Sequence, residues 1–295
     1  MNTQLVELAK SQGVWSATAN ELKSTYQVVR WITFSLSIVG ALLASVAGQL
    51  DKGPRLYLAI VSAVLFGVAS FLTARCLGTA KAQAWVKARA ASEALKRLAY
   101  TYAARGAPYN ETATRNQALH TAVQEIEKQV IDLLGEQVTS KPGSTPTDDL
   151  TTAEYVSKRA RAQVSYYESN ANKFKVIVGR LRKAEFLLAF TTAIITAVAG
   201  VLSKDVPRGT AFDFVALTAV LTTVSGAILA HIEASRYDFL VTTYRATARR
   251  LSDELTADPS KLDQMSAEWP KFVEACETAI ATENGSWVLK MSKNS

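Results

Sequence analysis

The sequence predicts an all-α integral membrane protein with two transmembrane helical hairpins and long cytoplasmic helical, coiled-coil extensions. Four uncharged apolar blocks of 18 to 20 residues interrupt a chain of 295 residues that is only 20% charged. The charges fall between these blocks, in segments that repeat apolar residues at helical spacing. No stretch alternates apolar and polar residues as a half-buried strand would.

The four predicted spans are residues 31–50, 56–74, 186–203 and 214–232. As a helix each reaches roughly 27–30 Å, which matches the hydrocarbon core of a bilayer. Core helices of a soluble protein are the alternative, but four blocks of such uniform length with charges at nearly every edge favour spans. The first thirty residues hold five charges and no apolar run, so we expect insertion through the first span without a signal peptide.

Short linkers pair the spans into two hairpins. Residues 51–55 join the first pair and residues 204–213 the second, and both linkers contain Pro, Gly and a Lys/Arg pair. The order hairpin, polar segment, hairpin, polar tail indicates an internal duplication. We therefore divide the chain into two two-span helical domains, 1–137 and 150–295, with the linker 138–149 (VTSKPGSTPTDD) between them.

The distribution of charge predicts the orientation in the membrane. Residues 75–185 carry 18 Lys and Arg against 11 Asp and Glu, and the hairpin linkers carry few charges. The positive-inside rule then places both termini and the middle segment in the cytoplasm and the two turns outside. A basic collar of Arg180, Arg182 and Lys183 precedes the third span. The high pI therefore requires no nucleic-acid partner.

The cytoplasmic segments are predicted to be long helices with apolar seams. One seam follows the second span, and Thr151 with Glu154 forms a capping box that begins a helix of roughly 50 residues through the third span. A second cytoplasmic helix is predicted from about Thr114 to Gln137. Asp258-Pro259 is predicted to begin a last helix, which ends near Gly285. The seam residues are Trp85, Ala88, Ser92, Leu95, Ala99 and Tyr102 in the helix after the second span and Ala160, Val164, Tyr167, Ala171, Phe174, Val178 and Leu181 in the helix through the third span.

Motifs for catalysis or cofactor binding are not found in the sequence. It has no phosphate-binding GxxxxGK[ST] loop, no GxGxxG, no HExxH and no CxxC, and only two Cys and two His. We therefore predict no enzyme activity, no cofactor and no metal site. His231, at the end of the fourth span, is interpreted as an interfacial polar residue, with a pH-sensitive gate as the alternative.

Small and hydroxyl residues recur at helical spacing within the spans. Close helix packing explains such a pattern, and a water-filled pore in an oligomer explains it as well, on different faces of the same helices. The first hairpin offers candidate packing residues Gly40, Ala44, Gly48, Ala63 and Gly67. The second offers candidate pore-lining residues Thr192, Thr196, Gly200, Thr218, Thr222 and Ser225.

Two helix sequences resemble the SLATT family, the bacterial two-transmembrane effector domains associated with SMODS and SLOG domains. The stretch EYVSKRARAQVSYYESNANKFK is similar to the helix that leads into that family's hairpin, and AWVKARAASEALKRLAYTYAARGAPY to the helix that follows it. The resemblance covers both hairpins and implies two such domains in tandem, although YRATARRLSDEL lacks the Gly-x-Pro-Tyr ending. The matching positions are Tyr155, Arg159 or Arg161, Gln163, Tyr166 and Tyr167 in the first stretch, and Arg89, Glu93, Tyr102 and Tyr109 in the second.

The resemblance implies a regulated membrane effector of a bacterial conflict or anti-phage system. Such a protein is expected to form an oligomeric pore in the lipid bilayer and to permeabilise the inner membrane on a cytoplasmic signal. Its expected partners are further copies of itself and a cytoplasmic sensor or nucleotide second-messenger system. The alternative is a non-conducting helical membrane scaffold that recruits partner proteins through its cytoplasmic coiled-coil helices.

Overall fold

A computed structural model describes residues 2–50, 52–202 and 214–292 of the chain. The described residues form helices and connecting turns without a strand, so the predicted all-α class is confirmed. The predicted turn at residues 204–213 lies outside the described residues. The α-helices are α1 (Thr3–Gln49), α2 (Lys52–Cys76), α3 (Thr79–Ala103), α4 (Arg115–Gln129), α5 (Thr152–Tyr155), α6 (Ala162–Leu202), α7 (Phe214–Ser235), α8 (Tyr237–Glu254) and α9 (Glu268–Ser292).

Among the residues that the structure describes, four helical stretches are long and apolar enough to cross a membrane, which confirms the predicted number of spans. They contain most of each of the four apolar blocks, and at most 17% of the residues in their most apolar windows are buried. Exposing so many apolar side chains to water is unfavourable in free energy, and a lipid environment removes that cost. The stretches are Thr3–Gln49, Gly53–Cys76, Thr152–Val201 and Leu217–Glu254.

The chain folds into two compact units, and each unit takes residues from both halves of the sequence. The membrane-spanning unit comprises Gln27–Leu77 and the described part of Asn172–Val241, and it holds the apolar blocks. The helical-bundle unit comprises the chain up to Tyr26, the segment Gly78–Ala171 and the chain from Thr242 onward. The division of the sequence into two domains by the linker 138–149 stays a prediction.

The helical-bundle unit buries most of the predicted seam residues that it contains. Leu95, Ala99 and Tyr102 of α3 are at most 2% exposed, and Tyr167 and Ala171 of α6 are buried to the same degree. Helix α3 packs against α9 and α4. The long extensions therefore fold on one another within a single chain.

The predicted helix through the third span is confirmed, with one irregular segment. Thr151 Oγ1 accepts a hydrogen bond from the backbone N–H of Glu154, and the Glu154 carboxylate accepts one from the N–H of Thr151, so the capping box is present. Residues Val156–Arg161 then form a π-helical segment, and α6 continues to Leu202. Inserted π turns are frequent at functional positions of helices.

The predicted first and last residues of the last helix were both wrong. Asp258 has a left-handed backbone (φ 47°) and accepts a hydrogen bond from Ser260, so Pro259–Lys261 form only a short 3₁₀ turn. Helix α9 begins ten residues later, at Glu268, and runs past Gly285 to Ser292. Its continuation is explained by Trp287, which is 4% exposed and packs edge-on against Trp85.

The predicted second cytoplasmic helix, from Thr114 to Gln137, is divided in two. Helix α4 covers Arg115–Gln129, and a 3₁₀ segment covers Ile131–Glu136. The division falls at Val130, whose φ of −121° is not helical. Leu133 is buried behind this break, whereas Ile131 and Leu134 are exposed.

Candidate functional site

The threonines of α6 and α7 satisfy their hydroxyl groups on their own helices. Thr192 donates to the Leu188 carbonyl at 2.8 Å, and Thr196 donates to the Thr192 carbonyl at 2.9 Å. The Thr222 hydroxyl donates to the Thr218 carbonyl at 2.8 Å. An exposed threonine bonded in this way leaves no unsatisfied donor in lipid, and its hydroxyl oxygen remains available to water.

The same threonines differ in exposure within the single chain. Thr196 and Thr222 are exposed, as is Gly200, whereas Thr192 and Thr218 are half-buried. The exposed positions therefore face the surroundings of the single chain. Their role as pore lining remains a prediction.

Ser225 behaves differently from the threonines, because it connects two spans. Its side chain is 8% exposed, and its hydroxyl donates to the Glu185 carboxylate at 3.1 Å. This hydrogen bond joins the start of the third span in α6 to the interior of the fourth span in α7. Glu185 is not among the candidate site residues predicted from the sequence, in which it is the charged residue that precedes the third span.

In the first hairpin, the close approach of α1 and α2 lies at Gly40. Ser62 donates to the Gly40 carbonyl at 2.8 Å, and a Cβ atom at Gly40 would lie 3.3 Å from the ring of Phe66. The other predicted packing residues, Ala44, Gly48, Ala63 and Gly67, are exposed within the single chain. The small residues buried there are Ala41, Ala47, Ser62 and Ala69, which occur in the same small-residue blocks of the sequence.

Arg30 connects the two hairpins at one end of the spans. Its guanidinium donates to the backbone carbonyl of His231 at 3.2 Å and to the Ser235 hydroxyl at 3.0 Å. The His231 ring lies beside the ring of Trp31, with centroids 5.2 Å apart. This junction holds α1 against α7 with a permanent positive charge.

The three residues of the predicted basic collar are all exposed. Arg182 forms an ion pair with Asp238 at 2.7 Å, which offsets its charge, while Arg180 and Lys183 are exposed. An exposed ion pair of this kind contributes about 0–1 kcal/mol to the free energy of unfolding.

A deeply buried ion pair of the helical-bundle unit joins Arg159 to Glu277. The guanidinium donates from Nε and Nη2 to the two carboxylate oxygens at 2.9 and 2.8 Å, and the side chains are 2% and 1% exposed. Burial alone would lower the pKa of Arg159, but contact with the Glu277 carboxylate raises it above its ordinary value. Arg159 therefore stays charged within the core.

Aromatic side chains enclose this ion pair. The Tyr155 hydroxyl donates to Glu277 at 3.0 Å, and the Arg159 guanidinium lies 4.5 Å from the centre of the Tyr100 ring. Burial, followed by the charge of Glu277, raises the pKa of Tyr155 well above its usual range. Of the two arginines that the sequence left open, Arg159 occupies this core, whereas Arg161 is exposed and lies 3.7 Å from Asp258.

A second polar cluster surrounds Glu283 on α9. The Tyr167 hydroxyl donates to one Glu283 oxygen at 3.3 Å, and the other oxygen is buried without a hydrogen-bond partner. The ring of Tyr167 packs against that of Tyr244, with centroids 5.2 Å apart. Burial raises the pKa of Glu283 to about 7, although the charge of Arg89 and the bond from Tyr167 lower it.

Replacing Glu283 by Gln is expected to stabilise the chain more at pH 8 than at pH 5. Glu283 titrates near pH 7 in the folded state and near 4.3 when unfolded, so the folded state holds the proton more tightly. The free energy of unfolding therefore falls as pH rises through this window. Glutamine stays neutral and avoids that loss, which we expect to be on the order of 2–4 kcal/mol.

Thermal unfolding in detergent at the two pH values measures this difference. Glu168→Gln, which changes an exposed carboxylate of α6, is the matched control and should have little effect at either pH. An equal effect of Glu283→Gln at pH 5 and pH 8 would show that the buried carboxyl does not titrate between them.

The remaining family positions serve mainly to hold the bundle together. Tyr102 and Tyr109 are buried, and the Tyr102 hydroxyl donates to Asn116 at 2.5 Å. The Arg89 guanidinium lies 4.5 Å from the centre of the Trp287 ring. Glu93 and Gln163 are half-buried, and Tyr166 is 45% exposed.

Comparison with protein families gives two matches. The family model of SMODS and SLOG-associating 2TM effector domain 1 (SLATT_1) matches residues 155–287, which include the second hairpin. Protein of unknown function DUF4231, a related SLATT-type domain, matches residues 13–117, which include the first. The comparisons with curated proteins and with solved structures give no match. The two family matches are consistent with SLATT-like domains in tandem, and the chain is a multi-pass membrane protein.

Proposed function

Because residues 155–287 form a SLATT domain, a two-transmembrane effector domain of conflict systems, we propose that this chain permeabilises the bacterial inner membrane when a cytoplasmic signal arrives. Several copies assemble in the bilayer, and the second hairpin lines a path for ions. The proposal includes no catalytic step.

The observation that carries this proposal is the state of the threonines in the second hairpin. Thr196 and Thr222 are exposed on the surface of the chain, yet each hydroxyl is bonded to its own helix. Such a surface tolerates lipid or a dry contact and can also be wetted when copies assemble around it. Closing and opening then require only a change in helix packing, with no charge moved across the membrane.

Expression in bacterial cells tests the proposal. We expect growth arrest together with loss of membrane potential, reported by a potential-sensitive dye, once the chain accumulates in the membrane fraction. Normal growth and potential at a membrane level confirmed by immunoblot would contradict it.

A non-conducting scaffold is the second candidate function, and one surface of the helical-bundle unit favours it. A cavity of about 570 Å³ lies between α1 and the segment around α4. Val14 and Trp15 contribute to its walls, as do the exposed Ile131 and Leu134. A scaffold would leave the membrane potential unchanged in the expression experiment.

The proposal places both termini and the helical-bundle unit in the cytoplasm. We expect a membrane-impermeant thiol reagent, added to intact cells, to label cysteines introduced at Gly53 and Gly209 but not at Ser144 or Ser292. The positive charges near the spans oppose translocation of the flanking segments, which is the physical reason. The background for these variants replaces Cys76 and Cys276. Labelling at Ser144 with protection at Gly53 would show that the orientation is the opposite of the one proposed.

A further inference from the structure

Glu185 lies at the edge of the third span and reaches into the space between two spans. Its carboxylate accepts the hydrogen bond from Ser225 at 3.1 Å, and Ser225 is 8% exposed. Ser225 is seven residues before the end of the predicted fourth span, or roughly 10 Å along the helix. The carboxylate is thus bonded to a group well inside the apolar block.

Helical periodicity places Glu185 in line with the candidate pore-lining threonines. At about 100° per residue, Thr192 and Thr196 lie within about 20° of Glu185 around the axis of α6. Thr218 lies within about 20° of Ser225 around the axis of α7. The Glu185–Ser225 hydrogen bond therefore joins the hydroxyl-bearing faces of the two helices at one end.

The neighbouring positive charges do not share this face. Lys183 and Arg180 are about 160° and 140° from Glu185 around α6, which places them on the far side of the helix. Arg182 is nearer, but its guanidinium is paired with Asp238 at 2.7 Å. Among the charged residues at this end of α6, Glu185 is thus the one that lies on the hydroxyl-bearing face.

We propose that Glu185 determines which ions pass, and that its carboxylate selects monovalent cations over anions. This inference rests on the proposed function, because it concerns the path through the second hairpin. A carboxylate at the mouth of a neutral, hydroxyl-lined path attracts cations and repels anions. The hydrogen bond from Ser225 holds the carboxylate at that mouth.

Current recordings from the purified full-length chain in planar bilayers of phosphatidylethanolamine and phosphatidylglycerol test this assignment. With a tenfold KCl gradient, a perfectly cation-selective path reverses near 59 mV. We expect the reversal potential of the parental chain to lie close to this value for a cation-selective path. Glu185→Gln should move the reversal potential towards zero, and Glu185→Lys should carry it to the anion side.

Two controls separate charge from structure. Ser225→Ala removes the hydrogen bond and keeps the carboxylate, so cation preference should be reduced only in part. Glu233→Gln removes an exposed carboxylate that follows the fourth span, and it should leave the reversal potential unchanged. Glutamine at 185 can still accept the bond from Ser225, so assembly, followed by size-exclusion chromatography, should be preserved.

The outcomes distinguish this inference from the proposed function. Currents that are anion-selective, or that Glu185→Gln leaves as cation-selective as before, would overturn the role of Glu185 while the membrane path stands. A parental chain that inserts and carries no current would overturn both.

Discussion

Replacing Arg159 by alanine is expected to destabilise the helical-bundle unit by about 3–5 kcal/mol, enough to unfold many domains. The substitution leaves the Glu277 carboxylate in a position that is 1% exposed, where it keeps only the hydrogen bond from Tyr155. A buried charge without its counter-ion is among the most unfavourable changes in a core. Chemical denaturation of the detergent-solubilised chain, followed by tryptophan fluorescence, measures the loss.

A paired replacement separates the charge from the packing. Arg159→Met with Glu277→Leu removes both charges and keeps apolar volume, so much of the stability lost in Arg159→Ala should return. Arg161→Ala is the matched control two residues along the helix, where the side chain is exposed, and it should change stability by less than about 1 kcal/mol. If Arg159→Ala costs no more than Arg161→Ala, the ion pair does not hold the bundle.

The double substitution Thr196→Leu and Thr222→Leu is expected to abolish ion flux and toxicity while leaving assembly intact. Both side chains are exposed within the single chain, so leucine is accommodated without disturbing its core. Leucine at these positions makes a wetted path apolar, and a narrow apolar constriction excludes water and ions. Membrane potential in cells and size-exclusion chromatography in detergent measure the two results.

Neighbouring threonines supply the control. Thr191→Leu with Thr223→Leu places the same two leucines on exposed positions that are rotated by about 140° on α6 and about 100° on α7, and flux should persist. Ala63→Leu with Gly67→Leu should disrupt assembly instead, because both are exposed small residues of α2 that can admit another helix closely. If the Thr196 and Thr222 double variant still conducts ions at the parental rate, the second hairpin does not line the path.

The spans and the seams were predictable because they follow from local composition. Uncharged blocks of membrane length and the seam spacing of α3 need no knowledge of the tertiary structure. The capping box at Thr151 was predictable for the same reason, since its partner Glu154 is three residues away. Each of these signals lies within a single element.

The polar core was not predictable, because its partners are far apart in sequence. Arg159 and Glu277 are separated by 118 residues, and nothing local to either residue indicates the other. The end of α9 depends in the same way on Trp287 packing against Trp85. Family resemblance identified Tyr155 and one of two arginines as important positions, but only the fold shows that Arg159 is buried.

Glu185 and Ser225 illustrate the same limit in the membrane-spanning unit. The sequence indicated Ser225 as a small polar residue in an apolar helix, and Glu185 as the charge that ends the neighbouring block. Their hydrogen bond depends on how α6 and α7 are rotated against each other, which periodicity alone does not determine. The same holds at Gly40, where the contact with Ser62 selects one small residue among several.

Potassium efflux from liposomes tests most directly whether this chain permeabilises a membrane. Purified full-length protein is inserted into vesicles of phosphatidylethanolamine and phosphatidylglycerol loaded with KCl, and external potassium is followed after dilution. We expect efflux that rises with the ratio of protein to lipid and is lost in the Thr196 and Thr222 double variant. Vesicles that contain the inserted parental chain and hold potassium as tightly as empty vesicles would contradict the proposed function.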